Sequence, residues 1–226
     1  MGIADSLGRS IAPRIARAAP DVSSQFVHEA LRRAIAGVGP LPGAAAGADK
    51  VLAQEHGDID RAIHEVIEDH VRYAGIQGFA TNIGGLVAAA VAIPSNIAGL
   101  ALIQCRLVAA IAHLRHYDLS DQRVRNAILA CMLGEDSVTS LVKSRLLPST
   151  PMGIATAPTH DPQLDKVVAA EVTAELLTKV AGKRLASTVG RRVPLVGGVF
   201  GAGSDAYSTW QIGRYADREL LPRTLR

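Results

Sequence analysis

The uncharged stretch Tyr73–Cys105, YAGIQGFATNIGGLVAAAVAIPSNIAGLALIQC, decides how this chain folds. It is 33 residues long and contains no charged side chain. Pro94 divides it, because proline has no backbone N–H to donate and fixes its own φ. The Ser and Asn that follow are residue types that cap helices. The stretch therefore predicts two apolar helices, at about 79–93 and 95–116, joined by a tight corner.

Two environments suit such a hairpin, the centre of a helical protein or a lipid bilayer. Residues 73–93 are numerous enough to cross a hydrocarbon core of about 30 Å. However, Gln77, Asn82 and five glycines make the hairpin less hydrophobic, and Arg106 lies within its second arm. The mean hydropathy of +0.19 also argues against a polytopic membrane protein. We predict a hairpin buried in a soluble bundle, with an inserted hairpin as the alternative.

The rest of the chain also has helical patterns, and no strand-like alternation extends beyond a few residues. Ala, Gly, Val, Leu and Ile supply most of the apolar side chains, and only 4% of residues are aromatic. We therefore expect an all-α fold, a single-domain helical bundle over residues 1–226 with a buried apolar helical hairpin and a long glycine-rich C-terminal helix. Residues 1–20 can form a loosely attached N-terminal helix. Further helices are predicted at 20–36, 44–54, 58–74, 124–133, 138–147, 164–180 and from Pro194 to Leu220.

Four prolines lie between Pro148 and Pro162. Proline restricts itself and the residue before it, so this density predicts a segment without a helix. A loop of this length is either functional or mobile.

The chain has few residues with the spacing of a metal or thiol site. A zincin helix needs His-Glu-x-x-His, but the position four residues after His64 is Glu68. His64 and His70 are six residues apart, about 240° around a helix, so they cannot share a metal. Cys105 and Cys131 lie in apolar helical patterns and are expected to be buried thiols. We predict no metal and no cofactor, with a His64–Glu68 pair as the alternative.

Several polar residues are isolated within apolar patterns. His70 lies on the apolar face of the 58–74 helix, where a histidine is either bonded to backbone or part of a site. If the two uncharged runs pack together, Arg106 and Asp205 are natural partners and His70 can join them. His70 and Asp205 are thus the candidate catalytic residues. The predicted polar cluster around them consists of Gln77, Asn82, Asn96, Gln104 and Arg106.

The charge is concentrated at the C-terminal end. Residues 179–226 contain nine Lys and Arg and three acidic residues, a net +6, which leaves −3 for the other 178 residues. Such a region can meet anionic lipid headgroups, or it can be a solvated face. No nucleic-acid-binding module accompanies it, so nucleic acid is not an expected partner. The predicted membrane-surface residues are Lys183, Arg184, Arg191 and Arg192.

Six segments carry a family resemblance: HVRYAGIQGFATNIGG at 70–85, PSN at 94–96, QCR at 104–106, IAHLRHYD at 111–118, VPLVGG at 193–198 and GRYA at 213–216. Together they resemble the EcsC family. The resemblance covers most of the chain from about Ala34 onward. It implies a bacterial, α-helical protein linked to an ABC transporter or other membrane transport system, and more loosely a hydrolase activity.

These observations lead to three functional hypotheses. The first is a non-enzymatic accessory or lipid-binding protein, cytoplasmic and peripheral to the inner membrane, whose partners are an anionic membrane surface and a membrane transport system. The second is a hydrolase with a site built around His70 and Asp205. The third is a soluble interaction scaffold.

Overall fold

The computed structural model describes residues 20–75, 95–189 and 197–223, and the side chains of 25–75, 97–178 and 203–223. The regular elements of the described chain are helices, apart from one pair of two-residue strands, which confirms the all-α prediction. Its elements, in order, are α1 (Pro20–Ala36), β1 (Gly37–Val38), β2 (Leu41–Pro42), α2 (Ala44–Gln54), α3 (Ile59–Gly75), α4 (Ser95–Leu114), α5 (Gln122–Cys131), α6 (Glu135–Lys143), α7 (Pro151–Ala155), α8 (Pro162–Val189) and α9 (Gly197–Glu219).

Helix α4 is the core of the bundle. It packs against α1, α2, α3 and α9, and it is buried on every side because its residues are apolar all round. Among the described helices it is the one long and apolar enough to cross a membrane, over Ile97–Leu114, but 89% of that window is buried inside the protein. The second arm of the predicted hairpin is thus confirmed as a buried helix. The predicted first arm, 79–93, lies outside the described residues.

Helices α3 and α9 pack closely and run antiparallel. A Cβ added to Gly213 would lie 2.9 Å from Ile67 Cγ1, so only glycine fits there without a shift. At the other end of the contact, a Cβ on Gly75 would lie 3.9 Å from Ala206 Cβ. The predicted long C-terminal helix is therefore present, and its small residues allow the backbones to approach.

Helices α4 and α9 run parallel. Gln104 Nε2 donates to Ser208 Oγ at 3.2 Å, and further along both helices Leu107 Cδ2 lies 3.2 Å from the Cβ position of Gly213. The two helices therefore begin at the same end of the bundle, and α3 ends towards that end.

The prediction of a segment without a helix between Pro148 and Pro162 was wrong. Pro151 begins the short helix α7, where the missing proline N–H costs nothing because the first helical position needs no donor. Ile154 and Ala155 are buried, and α7 packs against α5. Glu219 at the end of α9 accepts a hydrogen bond from the Met152 N–H at 3.1 Å, which ties α7 to the bundle.

Two helix boundaries are close to their predicted positions. Asp58 caps α3, because its Oδ1 accepts the Arg61 N–H at 3.0 Å. Helix α2 has the predicted bounds. The predicted break before it is a tight antiparallel turn in which Gly37 has φ +94°, a conformation that favours glycine. Helix α8 is the main difference, because it continues to Val189 instead of ending near 180.

Candidate anion and membrane-contact site

His70 lies on the buried face of α3 and is 6% exposed. Its Nδ1–H donates to the Val66 carbonyl at 2.7 Å, which leaves Nε2 as the acceptor nitrogen. Nε2 is buried and has no hydrogen-bond partner among the described residues. Burial lowers the pKa of His70 to about 4; the bond to Val66 opposes this shift and the nearby Arg106 cation adds to it. His70 is therefore neutral at pH 7.

Arg106 lies beside His70, on the side of α4 that faces α2 and α3. Its Nε is buried and has no hydrogen-bond partner in the described structure. Desolvation lowers the pKa of the guanidinium, and the neighbouring Tyr73 hydroxyl opposes that shift. The guanidinium lies against Gly47, where an added Cβ would be 2.6 Å from Nη2. A cavity of about 10 Å³ lies beside the two side chains and is lined by Leu41, His70, Tyr73, Leu102, Ile103 and Arg106.

The expected ion pair between Arg106 and Asp205 is not among the contacts of the described residues. Gln104 points at α9, and a side chain two residues later on a helix points about 200° away. Arg106 consequently faces α2 and α3, whereas Asp205 belongs to α9. The structure thus brings His70 and Arg106 together, but it does not bring Asp205 into the cavity beside them.

Gln104 joins α4 to α9 through hydrogen bonds from Nε2 to Ser208 and Thr209, the latter at 3.3 Å. Gln104 is fully buried, so it serves as a structural contact between the two helices. The other predicted site residues cannot be placed in the same way. Gln77, Asn82, Arg191 and Arg192 lie outside the described residues, as do the side chains of Asn96, Lys183 and Arg184.

The alternative metal pair forms a solvated row on α3. His64 Nε2 lies 3.3 Å from Glu68 Oε1, and Glu68 also binds Arg72 at 3.0 Å, with all three side chains exposed. Within the described ranges, no group of three or more His, Cys, Asp and Glu residues is placed to hold a metal ion. Cys105 and Cys131 are free, buried thiols, and burial raises the pKa of both.

Exposed aromatic side chains are a feature that the sequence analysis missed. Tyr207 and Trp210, on the outer face of α9, are 60% and 46% exposed, and their rings stack with centroids 6.0 Å apart. Tyr73, near the end of α3, is 37% exposed. Tyr207 and Trp210 are three residues apart, on the same face as the polar Gln211 and Arg214, and this spacing could have revealed them.

The three aromatic residues lie at one level of the bundle, and we call Tyr73, Tyr207 and Trp210 the aromatic tier. The contact of Gly75 with Ala206 sets the level of α3, and the contacts of Gln104 and Leu107 with α9 set that of α4. Arg106 lies at the same level. On one side of this tier, towards the starts of α4 and α9, the sequence is uncharged over residues 76–105 and 193–204.

A larger cavity, of about 200 Å³, lies at the opposite end of the bundle, beyond the ends of α4 and α9. Its charged groups largely satisfy one another. Arg123 binds Asp121, Asp118 accepts from Ser120, and the Arg223 guanidinium lies over the Tyr117 ring. The lining consists of His116, Tyr117, Asp118, Asp121, Arg123, Val124, Ala155, Thr156 and Arg223.

These features define an all-α protein built around one buried apolar helix, with an exposed aromatic tier and a half-buried arginine. The model of the EcsC protein family matches residues 3–225, so this chain belongs to the EcsC family, as the resemblance predicted. No curated protein and no solved structure matches the chain.

Proposed function

We propose that this protein is a non-enzymatic accessory protein that binds anionic lipid at the cytoplasmic face of a bacterial membrane and serves a membrane transport system there. The observation that carries the proposal is the aromatic tier. Trp and Tyr prefer the membrane–water interface, where an apolar ring and a polar group are both accommodated. The tier has such residues exposed at the border of the uncharged part of the chain.

The charge distribution supports the same orientation. Lys183 and Arg184 belong to the last turns of α8, and Arg191 and Arg192 lie in the seven residues that join α8 to the start of α9. The start of α9 is on the uncharged side of the tier. Basic residues near an anionic surface each contribute about 1 kcal/mol of attraction. Aromatic and basic residues would therefore act on the same membrane surface.

The geometry around His70 gives the hydrolase hypothesis less support. His70 Nε2 is enclosed, and the adjoining cavity of about 10 Å³ has room for about one water molecule, not for a substrate. Asp205 does not line this cavity. His70 is better explained as a neutral core histidine bonded to the Val66 carbonyl.

Cosedimentation with liposomes tests the proposed function. The purified chain is mixed with neutral or anionic vesicles at low and high salt, beside an Arg191→Ala/Arg192→Ala variant. Binding is expected to require anionic lipid and to weaken with salt. Loss of two surface charges, at about 1 kcal/mol each, should reduce the partition coefficient about thirtyfold.

An Arg32→Ala/Arg61→Ala variant is the matched control, because it removes the same charge from two exposed positions on α1 and α3. It should bind like the wild-type protein. If the wild-type chain stays in the supernatant with every vesicle, lipid binding is refuted and an interaction scaffold becomes the better hypothesis.

A further inference from the structure

We propose that Arg106 is the residue that binds the phosphate group of the ligand, through its half-buried guanidinium beside α2 and α3. This inference rests on the proposed function and deepens it, because it names the group of the lipid that is recognised. The shared chemistry is a phosphate oxyanion, which a phospholipid headgroup or a soluble phosphate ester can supply.

The pairing of the described half-buried arginines supports this assignment. Arg33, Arg115, Arg123 and Arg214 each bind a carboxylate, at 2.5 to 3.6 Å. Arg125 donates from Nε to the Leu119 carbonyl at 3.0 Å, so it too has a partner. Arg106 differs from them, because neither a carboxylate nor a carbonyl among the described residues pairs with its half-buried guanidinium. A half-buried charge without a partner is unfavourable, and an anionic ligand would complete it.

The neighbouring sequence cannot provide the missing carboxylate. Residues 73–105, which lead from the end of α3 to Arg106, contain no Asp or Glu. The groups around the guanidinium include the His70 ring, which is neutral at pH 7, and the apolar side chains of Leu102 and Ile103. Among the residues that the structure describes, the site therefore has one positive charge and no competing negative charge.

The position of the guanidinium depends on Gly47. Any larger residue would put a Cβ 2.6 Å from Nη2 and push the side chain out of its place. Gly47 lies inside α2, where glycine is about 1 kcal/mol less favourable than alanine, so its small size has a cost. The close approach of α2 holds the planar fork of Arg106, a geometry that suits two oxygens of a phosphate.

The location favours a lipid headgroup as the source of the phosphate. Arg106 lies at the level of the aromatic tier, where Trp and Tyr would meet the headgroups. The cavity of about 200 Å³ at the other end of the bundle is too distant to share this ligand.

Three variants of the full-length protein distinguish the effect of the charge of Arg106 from the effect of the position of its guanidinium. Arg106→Gln removes the charge, Arg106→Lys keeps the charge but loses the fork, and Gly47→Ala keeps the arginine but displaces it. Arg61→Gln is the control for net charge, because Arg61 is exposed at the opposite end of α3. Each is titrated with phosphatidylcholine vesicles, with and without phosphatidylglycerol, and with inorganic phosphate and glycerol 3-phosphate in solution.

We expect Arg106→Gln and Gly47→Ala to weaken binding to phosphatidylglycerol vesicles about tenfold, the loss typical of one charge-assisted hydrogen bond. Arg106→Lys should bind these vesicles more tightly than the two variants but less tightly than the wild-type protein. Arg61→Gln should bind like the wild-type protein. The melting temperature of Arg106→Gln should be unchanged or higher, because the variant removes a desolvated charge. If the melting temperature of Arg106→Gln falls instead, the vesicle binding of Gly47→Ala tests the proposal. That variant keeps the arginine, and alanine favours the helix.

Each outcome separates the two proposals. If the wild-type protein binds anionic vesicles and both variants bind equally well, the role of Arg106 is refuted and lipid binding stands. If the wild-type protein does not bind vesicles, but glycerol 3-phosphate or inorganic phosphate raises its melting temperature and not that of the Arg106 variants, the anion site stands and lipid binding is refuted. If neither vesicles nor soluble phosphates bind, both proposals are wrong.

Discussion

Replacing Leu107 by alanine is expected to lower the free energy of unfolding by about 3 kcal/mol. Leu107 is fully buried in α4, and its Cδ2 lies 3.2 Å from the Cβ position of Gly213 on α9. The truncation removes apolar contacts and leaves a cavity that helices on several sides cannot fill, which costs 2 to 5 kcal/mol in protein cores. Urea denaturation in the absence of lipid measures the change.

Leu146→Ala is the matched control, because the same truncation is made at a side chain that is 47% exposed. It should change stability by less than about 0.5 kcal/mol. Similar small effects of both substitutions would contradict a soluble core built on α4. They would favour the alternative in which the apolar hairpin is stabilised by lipid.

A second large effect is expected from acid. The pKa of His70 is lowered to about 4 in the folded protein from an ordinary value of 6.5, because the ring is buried. Below pH 6.5 the unfolded chain takes up this proton first, so stability is lost as the pH falls and the loss is complete below about pH 4. The difference of about 2.5 pKa units corresponds to about 3 kcal/mol.

The measurement is the difference between wild-type and His70→Phe stability at pH 7 and pH 4. Subtraction is needed because burial also lowers the pKa of His28, which acts in the same direction. Among the described residues, Arg106 and Tyr73 are the charged and titratable groups that face His70, and the variant leaves both in place. Parallel pH profiles for the two proteins would show that His70 is not the buried neutral group described above.

Much of the fold follows from the sequence because it depends on local patterns. The apolar run after Pro94 predicts a buried α4, and the stripe of apolar residues after Asp58 predicts α3 and its cap. The α7 helix could not be predicted from proline density, because its stability comes from burial of Ile154 and from Glu219, 67 residues away. Tertiary contacts outweigh local propensity there.

The candidate site was predictable only in part. The sequence indicates that Arg106 is isolated in an apolar run, but not which face of α4 carries it. The structure shows that Gln104 faces α9 and that Arg106 faces Gly47 and His70, so Asp205 is not its partner. The aromatic tier depends on the relative level of α3 and α9, which packing at Gly213 and Gly75 sets.

Emission from Trp210, the one tryptophan in the chain, tests the central claim most directly. The protein is titrated with phosphatidylglycerol-containing vesicles and with the same vesicles brominated near the headgroup. Since Trp210 is 46% exposed, contact with the interface should shift its emission to shorter wavelength, and the brominated lipid should quench it. Emission that stays unchanged at saturating vesicle concentrations would contradict docking through the aromatic tier.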